Sequence, residues 1–177
     1  MNILIHTCCS NCSLYPIKTL CSKGHTLTGL WFNPNIHPFV EYELRLKSMK
    51  KLAQLWDINM IYTDTYGLMD FLRSVVGKEN QRCSYCYRLR LEQTASEAAE
   101  RGYDAFSTTL LISPYQDFDM IVTLGQELSQ AYGISFYEED FRPGFREAMN
   151  AAKELDLYRQ KYCGCIYSEM DRFMKKK

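Results

Sequence analysis

Short apolar runs alternate along this chain with longer stretches in which apolar residues recur every three or four positions, the rhythm of strands and helices in turn. Ile3-Leu4-Ile5 reads as a buried strand, and Leu27 to Phe32 as a second, stopped by Asn33-Pro34-Asn35 and Pro38. Met60-Ile61-Tyr62, Asp104 to Thr109 and Ile134 to Tyr137 are the remaining strand candidates. Between them, helices are expected from Ser13 to Ser22, closed by Gly24, and from Cys86 to Arg101, closed by Gly102. From Phe39 onward, Phe39, Tyr42, Leu46, Met49, Ala53 and Trp56 mark the inner stripe of an amphipathic helix. Glu41, Glu43, Arg45, Lys47 and Lys50 fall mostly outside that stripe. A further helix after Ser113-Pro114 carries Ile121, Leu124, Leu128 and Tyr132 on one side.

Strands separated by helices predict parallel β-α units, hence an α/β, Rossmann-like sandwich with a parallel sheet. No repeat, low-complexity tract or long linker divides the chain, so residues 1–177 are expected to form one domain. The last forty or so residues read as a helical, irregular C-terminal part. In such folds ligands sit beyond the carboxyl ends of the strands, the place that Cys8 and Cys9 occupy after the first strand.

Composition narrows the class without naming a chemistry. Hydrophobic residues make up 46% and charged residues 24%, as in ordinary globular proteins. The 21 Lys and Arg cancel the 21 Asp and Glu, which argues against a general nucleic-acid coat but leaves room for a local basic face. No run is long enough to span a bilayer, and Met1-Asn2-Ile3-Leu4-Ile5-His6 lacks the form of a signal peptide. A cytoplasmic address, with no membrane partner, is the expectation.

The eight cysteines change the picture. Seven fall into three groups: Cys8/Cys9/Cys12, Cys83/Cys86 and Cys163/Cys165; Cys21 stands alone on an apolar helix and reads as core. In a reducing compartment such clusters point to metal or redox chemistry. The spacing in Cys83-Ser84-Tyr85-Cys86 lets two sulfurs converge on one metal, although dithiol oxidoreductases share it. Cys8 and Cys9 can both ligate where the backbone turns sharply between strand and helix. Cys8, Cys9, Cys83 and Cys86 then provide four sulfurs, the complement of a [4Fe–4S] cluster or a structural zinc. Cys12 is left for a second metal or an open-site position. In Cys163-Gly164-Cys165 the glycine permits the dihedrals of a tight disulfide, so a redox-active dithiol and further metal ligation are both open.

His6 suits the core as well as the site, His25 a turn, and His37 a loop at the sheet edge that carries the cysteines. Arg82, Arg88, Arg90, Arg142, Arg159 and Lys161, among Tyr85, Tyr87, Tyr158 and Tyr162, suit RNA phosphates and bases, though surface snorkelling explains them equally. Lys175-Lys176-Lys177 reads as a solvated tail.

In their order these motifs resemble one family, the epoxyqueuosine reductases of the QueH type. The resemblance rests on His6-Thr7-Cys8-Cys9, Phe32-Asn33-Pro34-Asn35-Ile36-His37-Pro38, and Glu41-Tyr42 with Arg45. It continues through Arg82-Cys83-Ser84-Tyr85-Cys86 with Arg88-Leu89, Thr108-Thr109-Leu110 with Ser113-Pro114, and Asp140-Phe141. Tyr158 through Cys165, with Ser168, completes it. It implies reduction of the epoxide of epoxyqueuosine, at the wobble position of tRNA, to the alkene of queuosine. It further implies Cys8, Cys9, Cys83 and Cys86 as ligands of a [4Fe–4S] cluster, Cys163 and Cys165 as a redox pair, and an unidentified electron donor. Ser10-Asn11 replaces the family's usual Ala-Pro or Gly-Pro. A mononuclear iron near Cys12 is a second electron store to look for, and Asp140, Tyr162 and His37 are candidate acids for the departing oxygen. A zinc-stabilised RNA-binding module without catalysis is the main alternative. An ATP-using tRNA-modifying enzyme is disfavoured because cysteines stand where its phosphate loop belongs.

Overall fold

A computed structural model describes residues 1–174, and the expected lysine tail at 175–177 lies outside the described residues. Five strands form one parallel sheet: β1 (Asn2–His6), β2 (Thr26–Trp31), β3 (Asn59–Tyr62), β4 (Ala105–Thr108) and β5 (Ser135–Phe136), in the order β3-β2-β1-β4-β5. The helices are α1 (Ser10–Ser22), α2 (Phe39–Trp56), α3 (Leu68–Val75), α4 (Arg82–Glu100), α5 (Phe118–Tyr132), α6 (Phe145–Glu154) and α7 (Ile166–Phe173). The Rossmann-like sandwich read from the pattern is therefore the observed fold.

Ile3, Leu4 and Ile5 are wholly buried, as a central parallel strand covered on both faces requires. α1 packs on α2 and α6, while α4 packs on α5 and against β1 and β4. Asp117 caps α5 by accepting the Met120 N–H at 3.0 Å, and Gly133 ends that helix with φ +66°. At Gly144 a Cβ would stand 2.2 Å from the Tyr15 ring, so only glycine lets the turn before α6 close onto α1.

Three expectations need correction. α1 begins at Ser10, and α4 begins at Arg82, which places Cys83 and Cys86 one helical step apart on the same face of its first turns. Cys21 is exposed in the last turn of α1, because Leu14, Ile17 and Leu20 take the buried stripe. Glu41 and Arg45 are buried, whereas Phe39, assigned inward, is half exposed. α2 meets the C-terminal segment on its Glu41/Arg45 side, so polar contact decides there what apolar periodicity assigns elsewhere.

Candidate metal and redox site

The strand order reverses between β1 and β4, and a parallel sheet leaves a crevice at that point. Cys8 follows β1 and Thr109 follows β4. The Thr109 hydroxyl accepts the Cys8 N–H at 3.0 Å and faces the Cys8 Sγ at 3.4 Å, so the neighbouring strand fixes this cysteine. Cys9 is the N-cap of α1: its Sγ accepts the Cys12 N–H at 3.4 Å, where serine or aspartate usually stands. One helical turn later Cys12 returns to the same place. The three sulfurs lie within 4.8 Å of one another, with Cys8 Sγ 3.8 Å from Cys9 Sγ.

Charge in this triad gathers on Cys9. Burial opposes its ionisation, but hydrogen bonds from Cys12 and Cys8 and the charge of Arg45 overcome that and hold the thiol well below its ordinary range. The Gln160 amide also donates to Cys9 Sγ, at 2.9 Å, while its oxygen accepts from Asn11 Nδ2 at 3.1 Å. Cys12 is pushed well above the usual thiol range by its bonds to Cys8 and Cys9. Within the triad the charge therefore favours Cys9, and the thiolate is the form that ligates metal.

Asn35 joins the second pair to the fold. Its amide donates to Cys86 Sγ at 2.7 Å, and its oxygen accepts from Arg90 Nε at 2.8 Å. Burial raises Cys86 to about 12, and it also raises the exposed Cys83. Cys83 and Cys86 feel the charges of Cys163 and Cys165, and Cys163 in turn feels that of Cys8. Among the described residues only Cys8, Cys9 and Cys12 form a group of three within metal-ligand reach; Cys83, Cys86, Cys163 and Cys165 do not join it.

The backbone of that C-terminal loop is pinned by three residues, Arg45, His37 and Ser168. Arg45 donates to the carbonyls of Cys163 (2.7 Å) and Tyr162 (2.9 Å). His37 N–H donates to Gly164 O at 2.8 Å, and Ser168 Oγ accepts the Gly164 N–H at 3.1 Å. The Tyr162 hydroxyl donates to His37 O. All eight cysteines are free thiols, so the tight Cys163/Cys165 disulfide expected from the sequence is not formed. The pinned backbone turns the two sulfurs to different partners, Gln116 Nε2 at 3.6 Å and Ser168 Oγ at 3.6 Å.

Of the proposed acids, Asp140 is exposed and bound by Arg142 at 2.7 Å, which holds its carboxyl below the usual carboxylate range. It is not among the residues lining the cleft described below. His37 is fully buried, and burial lowers it to about 4. Its Nδ1 accepts the Ile166 N–H at 3.3 Å, which leaves the proton on Nε2, beside the rings of Tyr66 and Phe71. His6 spans Thr108 Oγ1 (3.0 Å) and Asn33 Oδ1 (3.2 Å) in the core, and burial lowers it also to about 4.

Both histidines stay neutral in the fold and charge when it opens. Unfolding should therefore take up close to two protons between the ordinary value of 6.5 and about 4. Stability is then full above pH 6.5 and falls as pH drops, by up to about 2.7 kcal/mol per pH unit midway. Urea titrations of the metal-free chain at pH 7, 6 and 5 check this; an unchanged midpoint between pH 6 and pH 5 would contradict it.

Cys8, Cys12 and Cys163 open onto a cleft of about 490 Å³, whose wall also includes Arg45, Tyr115, Gln116, Phe145 and Gln160. A second cavity, of about 430 Å³, lies among Leu27, Ile58 and Asn59 at the opposite end of the strands, away from this chemistry. The sequence reading missed Gln116, and it holds Asn35, Thr109 and Gln160 only within the family motifs, with no role for them until the fold brings them to sulfur. Among the described residues no helix is long and apolar enough to cross a membrane.

Comparison with known proteins agrees with the resemblance. The sequence model of a family described as "Epoxyqueuosine reductase QueH" matches residues 3–171. An epoxyqueuosine reductase QueH of Dehalococcoides mccartyi is 39% identical, over 98% of this chain and 95% of its own. That of Thermotoga maritima is 36% identical, over 96% and 91%. Among solved structures, a U34-tRNA thiolase, NcsA, from Methanococcus maripaludis with its [4Fe-4S] cluster superposes with a TM-score of 0.62 at 15% identity, over 95% of this chain and 61% of that one. A predicted subunit of tRNA methyltransferase from Methanocaldococcus jannaschii gives 0.57 at 15% identity, over 87% and 76%. At that identity these two structures speak for the fold alone.

Proposed function

Because the chain belongs to the epoxyqueuosine reductase QueH family, we propose that it reduces epoxyqueuosine in tRNA to queuosine at the cysteine-lined cleft, as a cytoplasmic oxidoreductase. The single observation that carries this reading to particular atoms is the buried Cys8/Cys9/Cys12 triad at the β1/β4 crevice, with Cys163 on the wall of the same cleft. The donor set is all sulfur, with the thiolate favoured at Cys9, which fits a soft iron–sulfur centre. Cys8, Cys9, Cys83 and Cys86 are the residues assigned to a [4Fe–4S] cluster, and Cys12 is the ligand remaining for a single iron. When bound, such a centre supplies electrons and a Lewis-acidic grip on oxygen.

The remaining steps belong to the chain. Opening the epoxide to the alkene and releasing its oxygen as water consumes two electrons and two protons. Oxidation of the Cys163 and Cys165 thiols to a disulfide yields the same two electrons and two protons, so the reaction balances within the site. An external donor then restores the thiols. The Cys163 thiol, on the cleft wall, is assigned the proton that leaves with the oxygen, since Asp140 is held by Arg142 and His37 faces aromatic rings. Arg45, His37 and Ser168 fix the loop that presents that thiol.

One observation favours a second reading. A separation of 3.8 Å between Cys8 and Cys9 is that of two thiolates on one tetrahedral ion with metal–sulfur bonds of about 2.3 Å. Zinc held there would make the protein an RNA-binding module. Turnover separates the two: the anaerobically reconstituted chain with epoxyqueuosine-containing tRNA and a chemical reductant should yield queuosine by nucleoside mass spectrometry. Unchanged substrate with stoichiometric zinc would favour the binding module.

A further inference from the structure

Tyr115 is 85% exposed, although it lies directly on the cysteine cleft. Its ring stands edge-on to Phe145, with centroids 5.9 Å apart at 83°, and that phenylalanine lines the same cleft. Tyr115 N–H donates to Ser113 Oγ at 3.3 Å, which steadies the loop between β4 and α5 that carries the ring. An aromatic face left open to water beside a reaction site, with its edge already braced, is a surface on which a planar group can stack.

The charge around the cleft points to the same ligand. Arg159, Lys161 and Arg172 line it and are exposed, and none has an ion-pair partner among the described residues. The one acidic residue in the lining, Asp171, is bound by Arg82 at 2.6 Å. In a chain whose formal charge is zero, unpaired cations therefore gather at the cleft together with an open aromatic face. Phosphates separated by a base need that combination.

Resting on the reading of the cleft as the site for a modified tRNA nucleoside, we propose that Tyr115, braced by Phe145, stacks on a base flanking that nucleoside. Arg159, Lys161 and Arg172 hold the adjoining phosphates. The splayed flanking base holds the anticodon strand open, so the modified nucleoside can enter the cleft toward Cys8, Cys12 and Cys163.

The test is fluorescence-anisotropy binding of a labelled anticodon stem-loop RNA to the anaerobically purified full chain, over a salt series. Tyr115→Ala should weaken binding about ten-fold, while Tyr115→Phe, which keeps the ring, binds as the parent does. An abasic site beside the wobble position should cost the parent a similar factor and cost Tyr115→Ala nothing further. Removing each of the three cations should lower the salt slope by about 0.7, a slope that Tyr115→Ala leaves alone. Equal binding by parent and Tyr115→Ala overturns the proposal, as does an abasic penalty that persists in Tyr115→Ala, or a loss in Tyr115→Phe as large as in Tyr115→Ala. Turnover of epoxyqueuosine tRNA by the parent reports separately on the underlying reading, which survives any of those binding results.

Discussion

Replacing Arg45 with methionine should destabilise the protein by about 3–5 kcal/mol and make the segment from residue 157 onward sensitive to protease. The size of the effect follows from what the guanidinium holds. It is 2% exposed, donates to Glu41 at 2.7 Å, and binds the two carbonyls at the start of the Cys163-Gly164-Cys165 loop. Glu41 is spanned on its other oxygen by the Tyr158 hydroxyl, so α2 and the C-terminal segment share one buried polar junction. Removing Arg45 alone leaves the buried Glu41 carboxylate with only the Tyr158 hydroxyl and strips the Cys163 and Tyr162 carbonyls of the guanidinium donor. The Glu41→Leu/Arg45→Met double variant should regain part of the loss, since no charge is then stranded. Arg45→Lys should not restore the parent's stability, because a point charge cannot reach three acceptors in a plane. Chemical denaturation and limited proteolysis check this; a single variant within about 1 kcal/mol of the parent, well inside the buried-pair range, would contradict it.

The other large effect concerns Cys9. Cys9→Ala should abolish metal retention and reduce turnover at least a thousand-fold (a loss of about 4 kcal/mol or more in transition-state stabilisation). It removes the thiolate that Cys8, the Cys12 amide and Gln160 surround, together with the cap of α1. Cys9→Ser separates these roles. Serine is a good N-cap and should keep the helix, yet a hydroxyl is a poor ligand for iron, so the fold survives and the metal does not. Cys83→Ser and Cys86→Ser should lose the metal as well, whereas Cys21→Ser, on an exposed final turn, should retain both. Retention of metal and activity by Cys9→Ser, measured by elemental analysis beside turnover, would remove Cys9 from the site.

Much of this was legible before the fold was known, and the reasons are local. Ile3-Leu4-Ile5 and the period of Ile121, Leu124 and Leu128 record burial directly in the sequence, and both sit where the pattern puts them. The cysteine groups are legible because each pairs its sulfurs across one to four residues, within reach of a turn or a helical step. What escaped depends on partners far away in the chain. Glu41 and Arg45 read as solvent-facing because the residues that satisfy them, Tyr158, Tyr162 and Cys163, lie more than a hundred positions on. Gln160 meets Cys9 across 151 residues, and no spacing rule links an amide to such a sulfur. Cys21 misled in the opposite sense: its neighbours are apolar, but the helix turns that position away from them.

The centre itself is the claim on which the rest depends, and iron and acid-labile sulfide, counted in protein purified without oxygen, test it most directly. About four of each per chain, in a brown protein whose visible absorbance bleaches on reduction, is the result expected for a [4Fe–4S] cluster, with a further iron if Cys12 holds one. Stoichiometric zinc with no sulfide, persisting after anaerobic reconstitution, would contradict it and leave these cysteines without a route for electrons.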